Sequence, residues 1–240
     1  MSRASRRKLF GSLVSLLLCC ASGAFAQRIR DFHVPLPAPR GSVLVIGFLG
    51  GLEHWNDPHR GVRKVVLDLR SRNLPGVYAE SVENHHREIA LELIKRAVGS
   101  STDGERVRIV LYGQSWGGAA VVATARDLEA LRIPVDLTVQ VDSVGWHDDV
   151  IPENVRAAAN IFQHDPFTIQ GRTVIRAEDP QKTRILENTR YYYLFRPYAT
   201  LSVADGSWAR RTFGGSHAKM ELDETVWKHV EQLILDAIGD

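Results

Sequence analysis

The chain has 240 residues, with 30 Lys+Arg against 28 Asp+Glu, 44% hydrophobic residues and two cysteines. Four of the basic residues and both cysteines fall within residues 1–26. The remainder is therefore close to neutral, which argues against a nucleic-acid surface, and it has no thiol for a disulfide, a cysteine nucleophile or a thiolate metal site.

Residues 1–26 read as an export signal. Arg3, Arg6, Arg7 and Lys8 precede an apolar run from Leu9 to Cys20 that is too short to span a bilayer comfortably. Ala24-Phe25-Ala26 then supplies small residues for cleavage before Gln27. The expectation is a periplasmic or secreted protein starting at Gln27, with no stable membrane insertion after cleavage. Ser5-Arg6-Arg7-Lys8-Leu9-Phe10 is similar to a twin-arginine signal, and a general secretory signal fits the same basic stretch. The body from 27 to 240 is long enough to bury one sizeable core without staples, so one domain is expected.

After the prolines at 35, 37 and 39, Ser42 to Phe48 is a short apolar run bounded by Gly41 and Gly50, which suits a buried strand. Asp57-Pro58 offers an N-cap and a first-position proline for a helix carrying Val62, Val65, Val66 and Leu69 and ending near Asn73. Val77 to Val82 reads as a second strand. Asn84 is positioned to cap a second helix with Ile89, Leu93 and Ala97 on its apolar face, stopped at Gly99. Arg106 to Tyr112 is a third strand, Gly117 to Leu131 a helix, Asp136 to Val141 a fourth strand and Ala159 to Gln163 a fifth. Alternating apolar strands and helices predict a three-layer α/β fold with a mostly parallel sheet of about five to six strands. From Phe167 to Gly215 there is no firm period, and loops, short strands or a small cap are expected. A final amphipathic helix runs from Glu221 to Ile238.

Between the third strand and the following helix lies Gly113-Gln114-Ser115-Trp116-Gly117. This matches G-x-S-x-G, the nucleophile elbow, in which a serine sits on a sharp strand-to-helix turn with its hydroxyl exposed. By composition alone the three fixed positions recur in roughly one chain in ten of this size. The flanking strand and helix supply the context that the motif requires. With these elements the chain resembles the α/β-hydrolase superfamily over most of its body.

That resemblance implies a base and an acid following the serine in the order Ser, acid, His. His217, expected in the glycine-rich loop Gly214-Gly215-Ser216-His217 just before the last helix, occupies the position where the superfamily puts its base. Two acids compete. Asp142 ends the fourth strand within an apolar setting, where an unpaired carboxylate would be expensive, and pancreatic-type lipases carry their acid in a similar place. Asp165 follows the fifth strand, at the superfamily's commoner position, but stands before Pro166 as a turn residue would. Asp142 is preferred and Asp165 kept as the alternative. The oxyanion donors implied are the backbone N–H groups of Trp116, after the serine, and of Phe48, with Leu49 its neighbour, in the glycine-rich end of the first strand.

Other features point less far. His85-His86 with Glu83 and Glu88 lack a second set at ligand spacing, so no metal is expected, and Gly47, Gly50 and Gly51 do not make G-x-G-x-x-G, so no nucleotide cofactor is expected either. Trp55 and Trp146 follow strand ends and suggest an apolar acyl pocket. The resemblance implies an exported serine hydrolase acting on a small-molecule or lipid-like ester through an acyl-enzyme. The alternatives are a thioesterase or acyltransferase with the same triad, or a catalytically silent hydrolase fold acting as a binding protein.

Overall fold

The computed structural model of the chain describes residues 27–99, 106–166, 169–195 and 215–239. The chain divides into two compact units, Met1–Asp31 and Phe32–Asp240. Of the first, the described part is residues 27–31, with a single 3₁₀ turn over Ile29–Asp31 in which the Asp31 carboxylate accepts the Arg28 N–H at 2.7 Å. The export signal expected over 1–26 lies outside the described residues. No helix among the described residues is long and apolar enough to cross a membrane.

The second unit is a three-layer α/β structure. Its elements in chain order are β1 (Val43–Leu49), α1 (Gly61–Ser71), β2 (Val77–Glu83), α2 (Arg87–Val98), β3 (Arg108–Gln114), α3 (Trp116–Ala130), β4 (Val135–Val141), β5 (Val150–Ile151), β6 (Val155–Gln163), β7 (Arg176–Ala177), β8 (Arg184–Tyr191), α4 (Gly215–Glu221) and α5 (Glu224–Gly239). Six strands form one sheet in the order β2-β1-β3-β4-β6-β8, parallel throughout. Helices α1 and α5 pack together on one face, and α2 and α3 pack together on the other. Because both faces are covered, β1 and β4 are buried at every position; β1 accordingly reads as an unbroken apolar run, whereas β4 buries Asp136, Thr138 and Gln140 between its apolar residues. On the α1/α5 face, Val45, Val66, Val110, Val139 and Ile234 belong to one hydrophobic cluster. The fully buried Tyr112 satisfies its hydroxyl by donating to the Val62 carbonyl at 2.7 Å, and burial pushes its ionisation well above the ordinary phenol range.

Two local expectations need correction. Helix α1 begins at Gly61 with Arg60 as its N-cap, because Asp57 closes a turn of its own by accepting His59 N–H at 3.0 Å and Arg60 Nε–H at 2.8 Å. Asn84 does not cap α2. It starts a 3₁₀ turn over Asn84–His86, and its side chain donates instead to the carbonyls of Leu49 at 3.0 Å and Gly51 at 2.5 Å. The stretch expected to hold loops, short strands or a small cap contributes β7 and the edge strand β8, the latter paired to β6 with a register break between Ala158 and Ala159. Its half-buried positions include Glu187 and Thr189 while Leu186 faces out, so the alternation that marks a half-buried strand is scrambled.

Candidate active site

Parallel strands β3 and β4 end side by side, and their carboxyl ends carry Ser115 and Asp142. Ser115 has φ 57° and ψ −122°, a left-handed conformation that is costly for a residue with a Cβ. It is held there by its own N–H donating to Val141 O at 2.9 Å and by its carbonyl accepting from Gly118 at 3.0 Å and Val144 at 3.1 Å. The motif's glycines are explained by close approach. A Cβ on Gly117 would lie 2.0 Å from the Phe48 carbonyl oxygen, and one on Gly113 would lie 2.4 Å from Gly117 O. Glycine at both positions lets α3 leave the sheet directly after the serine.

Asp142 also has positive φ, at 44°, and is completely buried. Its carboxylate accepts from Gly171 N–H at 2.9 Å and from Gln163 Nε2 at 2.9 Å. Gly171 is required here by space, since a Cβ would come within 2.3 Å of the Asp142 carbonyl carbon. The remaining partner is His217, whose Nδ1 lies 2.6 Å from Asp142 Oδ2 and whose Nε2 lies 3.0 Å from Ser115 Oγ. Gln114 Nε2 also stands 3.3 Å from His217 Nε2. These partners define one tautomer: Nδ1–H donates to the Asp142 carboxylate, and Nε2 presents its lone pair to the Ser115 hydroxyl and the Gln114 amide.

His217 lies on the short helix α4 rather than in a glycine-rich loop. Asp165 does not touch its ring. The buried Asp165 carboxylate accepts the N–H of Tyr193 at 2.9 Å and the hydroxyl of Ser216 at 2.7 Å, so it anchors the residue before the histidine. Gln163 links the two acids, donating through Nε2 to Asp142 and accepting the Asp165 N–H at 3.0 Å.

Ser115 and His217 open on a cavity of about 260 Å³ whose wall includes Gly50, Gly51, Trp116, Val144, Ile169 and Ala218. Trp116, at the first turn of α3, lines it and is half exposed. Phe48 does not line it among the described residues. It is fully buried within β1, between Val82 of β2 and Gly113 of β3, so its amide belongs to the sheet ladder rather than to the cavity. The residues that the same loop brings to the wall are Gly50 and Gly51. The two tryptophans expected at an acyl pocket are elsewhere. Trp146 is 91% exposed, and Trp55 packs against the core beneath the Arg63 guanidinium.

Two carboxyls that sequence patterns do not single out also reach the wall, Glu53 and Glu221. Arg60 stands between them, with Nη1 at 3.2 Å from Glu53 Oε1 and 4.0 Å from Glu221 Oε1. Burial, reinforced by the Glu221 charge and opposed by Arg60, pushes the Glu53 carboxyl up to about 8. Burial raises Glu221 as well. Among the described residues, one group of side chains could hold a metal ion: Glu83, His85 and His86.

No protein-family model and no curated protein sequence matches the chain. Solved structures do. A cutinase-like protein from Cryptococcus sp. is similar over 85% of this chain and 98% of its own, with 14% identity and a TM-score of 0.49. The RedJ thioesterase from the prodiginine biosynthetic pathway in Streptomyces coelicolor is similar over 86% of this chain and 93% of its own, with 10% identity and a TM-score of 0.40.

Proposed function

We propose that the chain is an exported serine hydrolase that cleaves carboxylic ester-type bonds through an acyl-enzyme. The observation that carries this reading is the continuous contact from Asp142 Oδ2 through His217 to Ser115 Oγ, at 2.6 and 3.0 Å, opening on a cavity. Ser115 Oγ attacks the ester carbonyl while His217 Nε2 takes its proton, and Asp142 holds the ring and stabilises the imidazolium that forms. The tetrahedral oxyanion receives the Trp116 N–H, an orphan donor at the first turn of α3, and the N–H of Gly50 in place of Phe48. His217 then protonates the departing alcohol. Water, deprotonated by His217, attacks the acyl carbonyl, and Ser115 leaves with the proton returned to it. The apolar side chains of Trp116, Val144 and Ile169 on the cavity wall suit the apolar part of a small-molecule or lipid-like ester.

The test is pre-steady-state hydrolysis of a p-nitrophenyl ester. A burst approaching one p-nitrophenol per chain, followed by slower turnover and absent from Ser115→Ala, is expected. Hydrolysis unchanged in Ser115→Ala overturns the proposal.

A further inference from the structure

Strand β2 ends on Glu83, whose carboxylate is buried. A buried carboxylate is expensive unless a cation or several donors face it. Among the described residues no lysine or arginine pairs with Glu83. What surrounds it is imidazole and backbone. Oε1 accepts the Trp55 N–H at 3.3 Å and stands 3.3 Å from His54 Nδ1. Oε2 stands 3.1 Å from His85 Nε2 and 3.8 Å from His86 Nε2.

The ring of His86 is oriented from its far side. Its Nδ1 lies 3.0 Å from Glu88 Oε1, so Nδ1–H donates to the carboxylate and the lone pair is left on Nε2, on the side of Glu83. A carboxylate on the outer ring nitrogen is the arrangement that fixes metal-binding histidines in the right tautomer. The 3.8 Å separation of Nε2 from Oε2 is too long for a hydrogen bond. It is close to the ligand-to-ligand edge of about 3.3 Å around a tetrahedral zinc ion with bonds of about 2.0 Å. One atom from each of Glu83, His85 and His86 lies within 4.8 Å of the others, and both imidazoles are partly exposed, so an ion can enter from solvent.

We propose that Glu83 Oε2, His85 Nε2 and His86 Nε2 bind a divalent metal ion of the zinc class, with a fourth position open to water. Two imidazoles and one carboxylate are a borderline-soft set that suits Zn²⁺ over Ca²⁺ or Mg²⁺. The site bears on the cavity wall through the chain between its ligands. Asn84 donates to Leu49 O and Gly51 O, while Glu83 holds His54 and Trp55. An ion that fixes Glu83 and His85 therefore fixes both ends of the loop that brings Gly50, Gly51 and Glu53 to the cavity. The proposal stands apart from the hydrolase reading, because metal binding is measured without turnover.

The experiment is equilibrium dialysis of the untagged, chelator-stripped protein against Zn²⁺, with thermal melts alongside. One ion per chain at micromolar or tighter affinity is expected. His85→Ala and His86→Ala each weaken binding at least about tenfold, and the double variant loses it. Zn²⁺ raises the Tm of the wild type but not of the double variant, since an ion bound only to the folded state stabilises it. Less than one ion per chain at about 10 μM free Zn²⁺, or equal affinity in wild type and double variant, overturns the proposal. Both histidines are partly exposed and their loss opens no core cavity, so the variants remain folded for the comparison.

Discussion

His217 Nδ1 stands 2.6 Å from Asp142 Oδ2, while Asp165 holds the neighbouring Ser216 through its hydroxyl at 2.7 Å. The two acids therefore act on adjacent residues in different ways, one on the His217 ring and one on the side chain of the residue before it. Asp142→Asn disturbs the tautomer and the imidazolium, and kcat on an activated ester falls by about 10⁴-fold. Asp165→Asn keeps one carbonyl acceptor for Tyr193 and Ser216. It lowers kcat less than about tenfold and costs stability of about 1–2 kcal/mol, read from chemical unfolding. Equal losses of kcat in the two variants would contradict this division.

Gly117 meets the Phe48 carbonyl so closely that a Cβ would lie 2.0 Å from that oxygen. The obstacle is the backbone of a strand paired on both sides, and it cannot rotate away. Gly117→Ala is expected to destabilise the protein by on the order of 3 kcal/mol and to displace Ser115, so that unfolding midpoint and kcat fall together. A stable, fully active Gly117→Ala would show that the turn has room.

The Glu53 carboxyl titrates at about 8 in the folded chain, against an ordinary 4.5. A raised folded value means that the native state holds a proton that the unfolded state releases between these limits. The contribution to stability is therefore complete below about pH 4.5 and is lost as pH rises to about 8. The Tm should fall between about pH 5 and pH 8.5, and it should fall less in Glu53→Gln, which stays neutral beside Glu221 and Arg60. Identical pH dependence in the two proteins would place the titration elsewhere.

The pattern of Arg6-Arg7-Lys8, an apolar run and Ala24-Phe25-Ala26 leads to an expected outcome at the N-terminus. Protein recovered from a bacterial periplasm should begin at Gln27 by N-terminal sequencing. A chain retaining Met1 in the cytoplasm would contradict the export proposal.

Much of this architecture was legible because burial on both faces leaves a plain mark. Val43–Leu49 is a short continuous apolar run bounded by Gly41 and Gly50, which suits a strand covered on both sides. The serine was legible for a similar reason, since the space beside Phe48 O admits only glycine at 117. What was hidden depends on contacts between distant segments. Gln163 and Gly171 support Asp142, yet neither belongs to a local pattern. Strand β8 turns Glu187 and Thr189 inward, so its period is obscured. Phe48 misled because the glycine-rich segment marks the loop without saying where the ladder stops, and pairing extends through Phe48. Glu83 meets His54 only because β2 ends beside the loop after β1.

The central claim is that Ser115 is a nucleophile activated by His217. Its most direct measurement is labelling of the folded protein with a fluorophosphonate probe, followed by mass spectrometry of the peptides. One adduct per chain on Ser115 is predicted, abolished in Ser115→Ala and slowed by orders of magnitude in His217→Ala. No adduct on the folded wild type, or labelling undiminished in Ser115→Ala, would contradict it.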